Sequence, residues 1–172
     1  KFNVMGTHNL LEAIRFLSLP CRFYHASSSE MYGRVRNLPV VEDTVLHPVS
    51  SYAISKAAGH WLAINYREAY NMFCCCGILF NHESVIRPSY YVTKKIISTA
   101  VRISRGSQEK LVLGNVDVRR DWGYAPEYVK SMWLMLQHDE PDEYVIATND
   151  VHSLREFAHH AFQYLNMDWG DH

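Results

Sequence analysis

Amphipathic helical stretches alternate along this chain with short apolar runs, and that alternation limits the possible architectures more than any other feature. Leu10, Leu11, Ile14 and Leu17 recur at helical spacing within residues 7–18, and Pro20 closes the segment. Arg22 to Ala26 reads as a short extended segment, and Gly33 with the polar stretch to Ser51 as a long loop. From Tyr52 to about Tyr70, the residues Ile54, Ala57, Ala58, Trp61, Leu62 and Tyr66 mark one buried stripe of a long helix. A strand at 72–80 and a loop from Asn81 to Ser89 follow. The next helix carries Val92, Ile96, Ile97, Ala100, Val101 and Ile103, with Gly106 just past its end. Leu111 to Leu113 reads as a short strand, Pro126 opens a further helix, and Glu143 to Thr148 is the last strand. Ser153, with Glu156 three residues on, has the pattern of a capping box for a final helix. Helices that alternate with short strands imply an α/β fold on a mostly parallel sheet.

The 172 residues suit one domain or part of a larger one. Seventeen Lys plus Arg against eighteen Asp plus Glu leave a net charge of −1, which provides no overall field for nucleic acid or an anionic membrane. No stretch approaches the roughly 20 apolar residues that span a bilayer, so neither nucleic acid nor membrane is an expected partner. With 48% hydrophobic residues the chain has enough apolar surface for a packed core. Lys1 to Gly6 does not look like a natural start: it has no initiator methionine and no charged-then-apolar leader. Cys74, Cys75 and Cys76 are consecutive, and neighbours on a strand point to opposite faces. That suits buried, reduced thiols of a cytoplasmic protein better than a disulfide framework or a metal cage.

Chemistry concentrates at Tyr52-Ala53-Ile54-Ser55-Lys56, because residues four apart share a helical face. An ammonium beside a phenol favours the phenolate, which is useful for proton transfer near neutral pH. Alone the spacing is a weak signal, equally served by a surface lysine beside a half-buried tyrosine. The upstream segment Ser27-Ser28-Ser29-Glu30-Met31-Tyr32-Gly33 adds hydroxyls and a carboxylate at a strand end. Asp117, Arg119 and the pair His159-His160 show no ligand spacing and read as solvated surface. Glu83 beside His82 lacks a second metal ligand at helical spacing, so no metal site is expected.

Five blocks together give the chain a resemblance. They are Ser28 to Gly33, Tyr52 to Lys56, Asn65 to Tyr70, Gly77 to Ser84, and Leu113-Gly114-Asn115 with Arg120-Asp121-Trp122-Gly123. With them the sequence resembles the extended short-chain dehydrogenase/reductases, and within these the GDP-mannose 4,6-dehydratase family, nearly end to end. Ser29-Glu30 separates it from the dTDP-glucose 4,6-dehydratases, which typically carry Asp-Glu there, and from the epimerases, which generally lack the pair.

The resemblance implies part of a Rossmann-like, doubly wound parallel sheet together with part of a smaller nucleotide-sugar-binding subdomain. Residues 1–85 would belong to the NADP-binding domain with its Tyr/Lys helix, and 86–172 to a mixed segment that also supplies the last sheet strand. It further implies Ser28, Glu30, Tyr52 and Lys56 as catalytic residues. Tyr52, Lys56, His82 and Arg87 would contact NADP, and Ser28, Asn81, Lys95, Gly114 and Arg120 the substrate, GDP-mannose. In that scheme Tyr52 deprotonates the 4-hydroxyl while hydride passes to the cofactor, Glu30 handles the carbon-5 proton and the departing water, and Ser28 bonds the reacting oxygen. A guanidinium and an ammonium suit a diphosphate, although Arg120 beside Asp121 also suits a plain local ion pair. The enzyme would be a cytoplasmic homodimer or homotetramer in GDP-fucose or deoxyhexose synthesis. Another 4,6-dehydratase or epimerase of the superfamily, or a non-catalytic truncated homologue, is the alternative.

Two departures accompany the resemblance. Where the family usually shows Pro-Arg-Arg-Gly after Ser84, this chain has Val85-Ile86-Arg87-Pro88, and proline excludes a positive φ and removes a donor. None of the eight glycines forms Gly-x-x-Gly-x-x-Gly, the turn that lets backbone N–H groups approach a pyrophosphate. The chain is therefore expected to be about half of a larger enzyme and inactive on its own.

Overall fold

The computed structural model describes residues 2–171. In chain order, a π-helical turn at Phe2–Gly6 leads into α1 (Thr7–Phe16), β1 (Phe23–Ser28) and a 3-10 turn at Ser29–Met31. Then come α2 (Ser51–Tyr70), β2 (Cys74–Leu79), β3 (Asn81–Glu83), α3 (Val92–Ser104), β4 (Arg119–Tyr124), α4 (Ala125–Met135), β5 (Glu143–Ile146), β6 (Val151–Ser153) and α5 (Leu154–Gln163). The chain divides into two compact units, Lys1–His82 with Ala125–Ala147 and Glu83–Tyr124 with Thr148–His172.

In the first unit β1, β2 and β5 form a parallel sheet in that order. The register pairs Phe23 with Cys74 through Ser28 with Leu79, and Cys76 with Glu143 through Leu79 with Ile146. All six residues of the central β2 are buried, and its continuous apolar reading is what a strand covered on both faces requires. The three cysteines there are free, and burial pushes the Cys74 thiol up to about 11 and that of Cys76 to about 12. They remain protonated and unreactive at neutral pH. Met31, Tyr32, Ala57 and Ile78 pack into one cluster, and Leu11, Tyr66 and Cys74 tie α1 and α2 to the sheet. Arg67 reaches from α2 with both Glu143 carboxylate oxygens 2.7–2.8 Å from its Nη2, which fastens the helix to β5.

Two local devices place α2 after its long loop. Ser50 accepts the Ala53 N–H at 3.1 Å as N-cap, and Asn71 closes the other end in the left-handed region. Gly33 turns the loop with φ +53°, and a Cβ there would lie 1.9 Å from the His47 carbonyl oxygen. No other residue fits that position.

In the second unit β4 and β6 pair antiparallel, Arg119 opposite Ser153 and Asp121 opposite Val151. Helices α3 and α5 pack through Ile96, Ala100 and Ile103 on one side and Leu154, Ala158 and Phe162 on the other. The Ser153–Glu156 capping box forms as the sequence predicts.

Several boundaries differ from the sequence expectation. Leu111 to Leu113 is not a strand; Leu111 and Leu113 are apolar because they dock on the Ile96–Leu154 cluster. The strands of this region are β4 and β6, whose mostly exposed side chains leave no apolar alternation to read. β1 continues to Ser28, β5 stops at Ile146, and β3 occupies the start of the segment expected as loop. His159, His160, Asp117 and Arg119 are exposed, as expected.

Candidate active site

In a parallel sheet, ligands gather beyond the carboxyl ends of the strands. β1 ends there on Ser28, and Asn81, the first residue of β3, lies two residues past the end of the neighbouring β2. Ser28 is extended, with φ −152°, and caps the 3-10 turn by accepting the Glu30 N–H at 3.3 Å. The cap leaves Ser28 buried and turns Glu30 outward into solvent. A serine followed two residues later by an exposed carboxylate thus becomes a rigid polar ledge at the end of the strand.

Helix α2 runs beside that ledge. Tyr52 lies in its first turn with half its surface exposed, and Lys56 one turn on has its Nζ 5.9 Å from the centre of the Tyr52 ring. The same ammonium donates to the Ala26 carbonyl at 2.8 Å. Partial burial lowers the Lys56 pKa, because desolvation penalises its charged form. The i, i+4 spacing read in the sequence therefore places a cation beside an exposed phenol, close to the end of β1.

His82 is fixed in the same unit, its Nδ1 2.8 Å from the Phe80 carbonyl oxygen and its ring stacked on Tyr128 with centroids 4.8 Å apart. Ser28, Glu30, Tyr52, Lys56, Asn81 and His82 all belong to the first unit.

Arg87, Lys95, Gly114 and Arg120 belong to the second unit. Arg87 donates from Nε to Glu83 at 2.6 Å and lies 4.3 Å over the Tyr91 ring, while Val85 and Ile86 beside it are exposed. Lys95 donates to the Val112 carbonyl at 2.6 Å. No atom lies within 4 Å of where a Gly114 Cβ would stand, leaving its backbone open to approach. Arg120 does not pair with Asp121: neighbours on a strand face opposite ways, and the Arg120 guanidinium donates to the Arg119 carbonyl at 2.8 Å. Asp121 points inward and accepts the backbone N–H groups of Thr148 and Asn149.

One feature was missed in the sequence. His60 lies one turn beyond Lys56, and its Nδ1 is 2.9 Å from the Ser27 hydroxyl in the interior. The signal was available, since Tyr52, Lys56 and His60 repeat at steps of four. Among the described residues, no three His, Cys, Asp or Glu side chains gather as a metal site, and no helix is long and apolar enough to cross a membrane.

A family model for GDP-mannose 4,6 dehydratase matches residues 1–172. The chain belongs to the GDP-mannose 4,6-dehydratase family. It is 48% identical over 171 residues to GDP-mannose 4,6 dehydratase 1 of Arabidopsis thaliana, a match that covers 97% of this chain and 47% of that protein. Against GDP-mannose 4,6 dehydratase of Homo sapiens the identity is 47% over 163 residues, covering 94% and 44%. The chain thus spans about half the length of the curated relatives it matches. Among solved structures it resembles RMD from Pseudomonas aeruginosa complexed with NADPH, with TM-score 0.90, 25% identity and coverage of 96% of this chain and 58% of that one. The dTDP-glucose 4,6-dehydratase of Bacillus anthracis in complex with NAD gives TM-score 0.89 at 23% identity, covering 98% and 53%, a likeness of fold. In this chain the Ser28–Glu30 ledge and the Tyr52/Lys56 helix place their polar groups near the end of β1.

Proposed function

We propose that this chain carries the acid–base residues of an NADP-dependent GDP-mannose 4,6-dehydratase, a hydro-lyase that yields GDP-4-dehydro-6-deoxy-D-mannose and water. The observation that carries the reading is the Lys56 ammonium, 5.9 Å from the centre of the Tyr52 ring and bonded to the carbonyl of Ala26, two residues before the end of β1.

Tyr52 acts as the phenolate that the neighbouring ammonium stabilises; it takes the proton of the sugar 4-hydroxyl and becomes the neutral phenol. The ketone formed at carbon 4 acidifies the proton on carbon 5. Glu30, exposed on its ledge, takes that proton and gives it to the departing 6-hydroxyl, which leaves as water; carbon 5 regains a proton when hydride adds at carbon 6, balanced by the proton that Tyr52 took from the 4-hydroxyl and releases. Ser28 bonds the reacting oxygen. The donor set of this chain, two hydroxyls and an ammonium at the carboxyl end of a parallel sheet, fits the ribose of a nicotinamide nucleotide; Tyr52, Lys56, His82 and Arg87 would hold it. Held there, a nicotinamide would supply reversible hydride transfer, from carbon 4 and back to carbon 6, with no net redox change.

By the family resemblance, Ser28 and Asn81 of the first unit and Lys95, Gly114 and Arg120 of the second are the proposed nucleotide-sugar contacts. The working protein is a cytoplasmic homodimer or homotetramer that feeds deoxyhexose synthesis, and these 172 residues alone bind NADP weakly because they hold no glycine-rich pyrophosphate turn. The test is turnover of GDP-mannose by a full-length form, with Glu30→Gln expected to lower kcat by about 100-fold or more. Undiminished activity in Glu30→Gln removes the base, and preferential thermal stabilisation by dTDP-glucose over GDP-mannose overturns the substrate.

A further inference from the structure

Three consecutive residues of β1 are engaged in turn. The Ala26 carbonyl accepts Lys56 Nζ at 2.8 Å, the Ser27 hydroxyl meets His60 Nδ1 at 2.9 Å, and the Ser28 hydroxyl caps the Glu30 turn. On the helix the engaged residues are one ridge, Tyr52, Lys56 and His60, spaced one turn apart. Ser27 and His60 are both 3% exposed, so this contact lies wholly inside the protein and behind the reacting groups.

The interior around the pair is shaped for it. His25 lies two residues before Ser27 on the same face of β1, and its ring sits against Gly59, where a Cβ would come within 2.9 Å of Cε1. Gly59 thus lets the strand and helix approach closely enough for His60 to reach Ser27. His25 Nε2 has no hydrogen-bond partner in this space, so on this buried face the Ser27–His60 bond is the polar link between strand and helix, beside that of Lys56 to the Ala26 carbonyl. A buried hydrogen bond of this kind is directional, whereas the apolar contacts beside it tolerate sliding.

We infer that His60 is a positioning residue: through its bond to Ser27 it holds α2 in register on β1, and so fixes Lys56 and Tyr52 relative to Ser28 and Glu30. The assignment rests on the acid–base reading of Tyr52 and Lys56 given above. His60 touches neither substrate nor cofactor in this account. It acts only through the strand.

The test compares Ser27→Ala, His60→Leu and His60→Asn in a full-length form. Asn carries an amide group at the place of Nδ1 and can keep the bond. Two readouts are followed: kcat and KM for GDP-mannose, and titration of the Lys56 side chain by NMR of 13C-labelled lysine. Ser27→Ala and His60→Leu are expected to lower kcat on the order of tenfold at unchanged KM, the usual effect of a small misplacement of reacting groups. In both, Lys56 titrates closer to an ordinary lysine, and His60→Asn restores most of both properties. A lower melting temperature with kcat and the Lys56 titration unchanged overturns the inference in favour of plain packing, as does His60→Asn behaving like His60→Leu. The unmodified chain decides the matter without any variant: 15N-labelled histidine must report a single locked tautomer for His60, and a mixture of tautomers overturns the bond. Absence of dehydratase activity in the unmodified full-length protein refutes the function reading instead, and the Lys56 and His60 spectra still judge the clamp.

Discussion

The ammonium of Lys56 is bonded to the carbonyl oxygen of Ala26, two residues before the serine that ends β1. A helix side chain is thereby tied to the backbone of the strand that carries Ser28, and its position no longer depends on solvent-exposed rotamers. Lysine holds this position as a point charge with a long stem, and the stem is half-buried.

Lys56→Met keeps much of that stem and removes the charge. In a full-length form it is expected to lower kcat for GDP-mannose by about 100-fold to 10,000-fold, the usual worth of a positioned acid–base group, with the fold retained. Steady-state kinetics beside a circular dichroism spectrum checks it. A kcat within threefold of the parent refutes the role of the ammonium.

Acid should unfold the first unit earlier than its carboxylates alone would cause. Burial lowers the pKa of His25 and of His60 from 6.5 to about 4, with Lys56 and His60 adding to the shift of His25 and Arg67 to that of His60. Between these values the unfolded chain binds protons that the folded chain does not, so stability is complete above pH 6.5 and falls as pH drops toward 4. The loss is about 3 kcal/mol per group at most. Urea unfolding at pH 7 and pH 5 measures it, and His60→Asn should flatten the slope. Equal stability at the two pH values would sink the prediction.

Gly33→Ala puts a methyl group into the His47 carbonyl at a backbone angle that L residues avoid. The loop that leads to Ser50 must then move, at a cost of about 2 kcal/mol or more. Thermal unfolding reads the loss directly, and a variant as stable as the parent contradicts the turn geometry.

Arg67→Met strips the partner from the Glu143 carboxylate, whose side chain is 17% exposed. Breaking a largely buried pair on one side is expected to cost about 2 to 4 kcal/mol. Arg67→Met/Glu143→Leu should recover part of that loss, since apolar replacement of both partners removes the stranded charge. A double variant no more stable than Arg67→Met alone would be the contrary result.

The first unit was legible in the sequence where burial and period agree. Apolar spacing marked α2 as a helix, but its buried face runs through Ala53, Ala57, His60, Ala63, Ile64 and Tyr66, while Ile54 and Trp61 of the expected stripe are exposed; the apolar run through Cys74 to Cys76 marked the central strand. The second unit was less so, because β4 begins Arg-Arg-Asp and pairs through its backbone with little side-chain burial. An apolar run signals that a segment is covered, not that it is paired, which is why Leu111 and Leu113 read as a strand and are not one. Of the site, the Tyr52/Lys56 spacing was a weak signal alone, strengthened by the hydroxyls and carboxylate of Ser27 to Glu30 at a strand end; the 3-10 turn there was not read in the sequence. The inward turn of Asp121 away from Arg120 could not be read either, since it is satisfied by the N–H groups of Thr148 and Asn149 far along the chain.

The order of strands in the first sheet carries a consequence for how the polypeptide is made. β2 pairs with β1 early, but its other neighbour, β5, emerges only after all of residues 83–124 have been synthesised. Until then a strand of buried cysteines, Ile78 and Leu79 presents one bare hydrogen-bonding edge to the crowded exit of the ribosome. A chain released in that interval carries an uncovered apolar strand, so rapid elongation or a chaperone protects the nascent protein across that stretch.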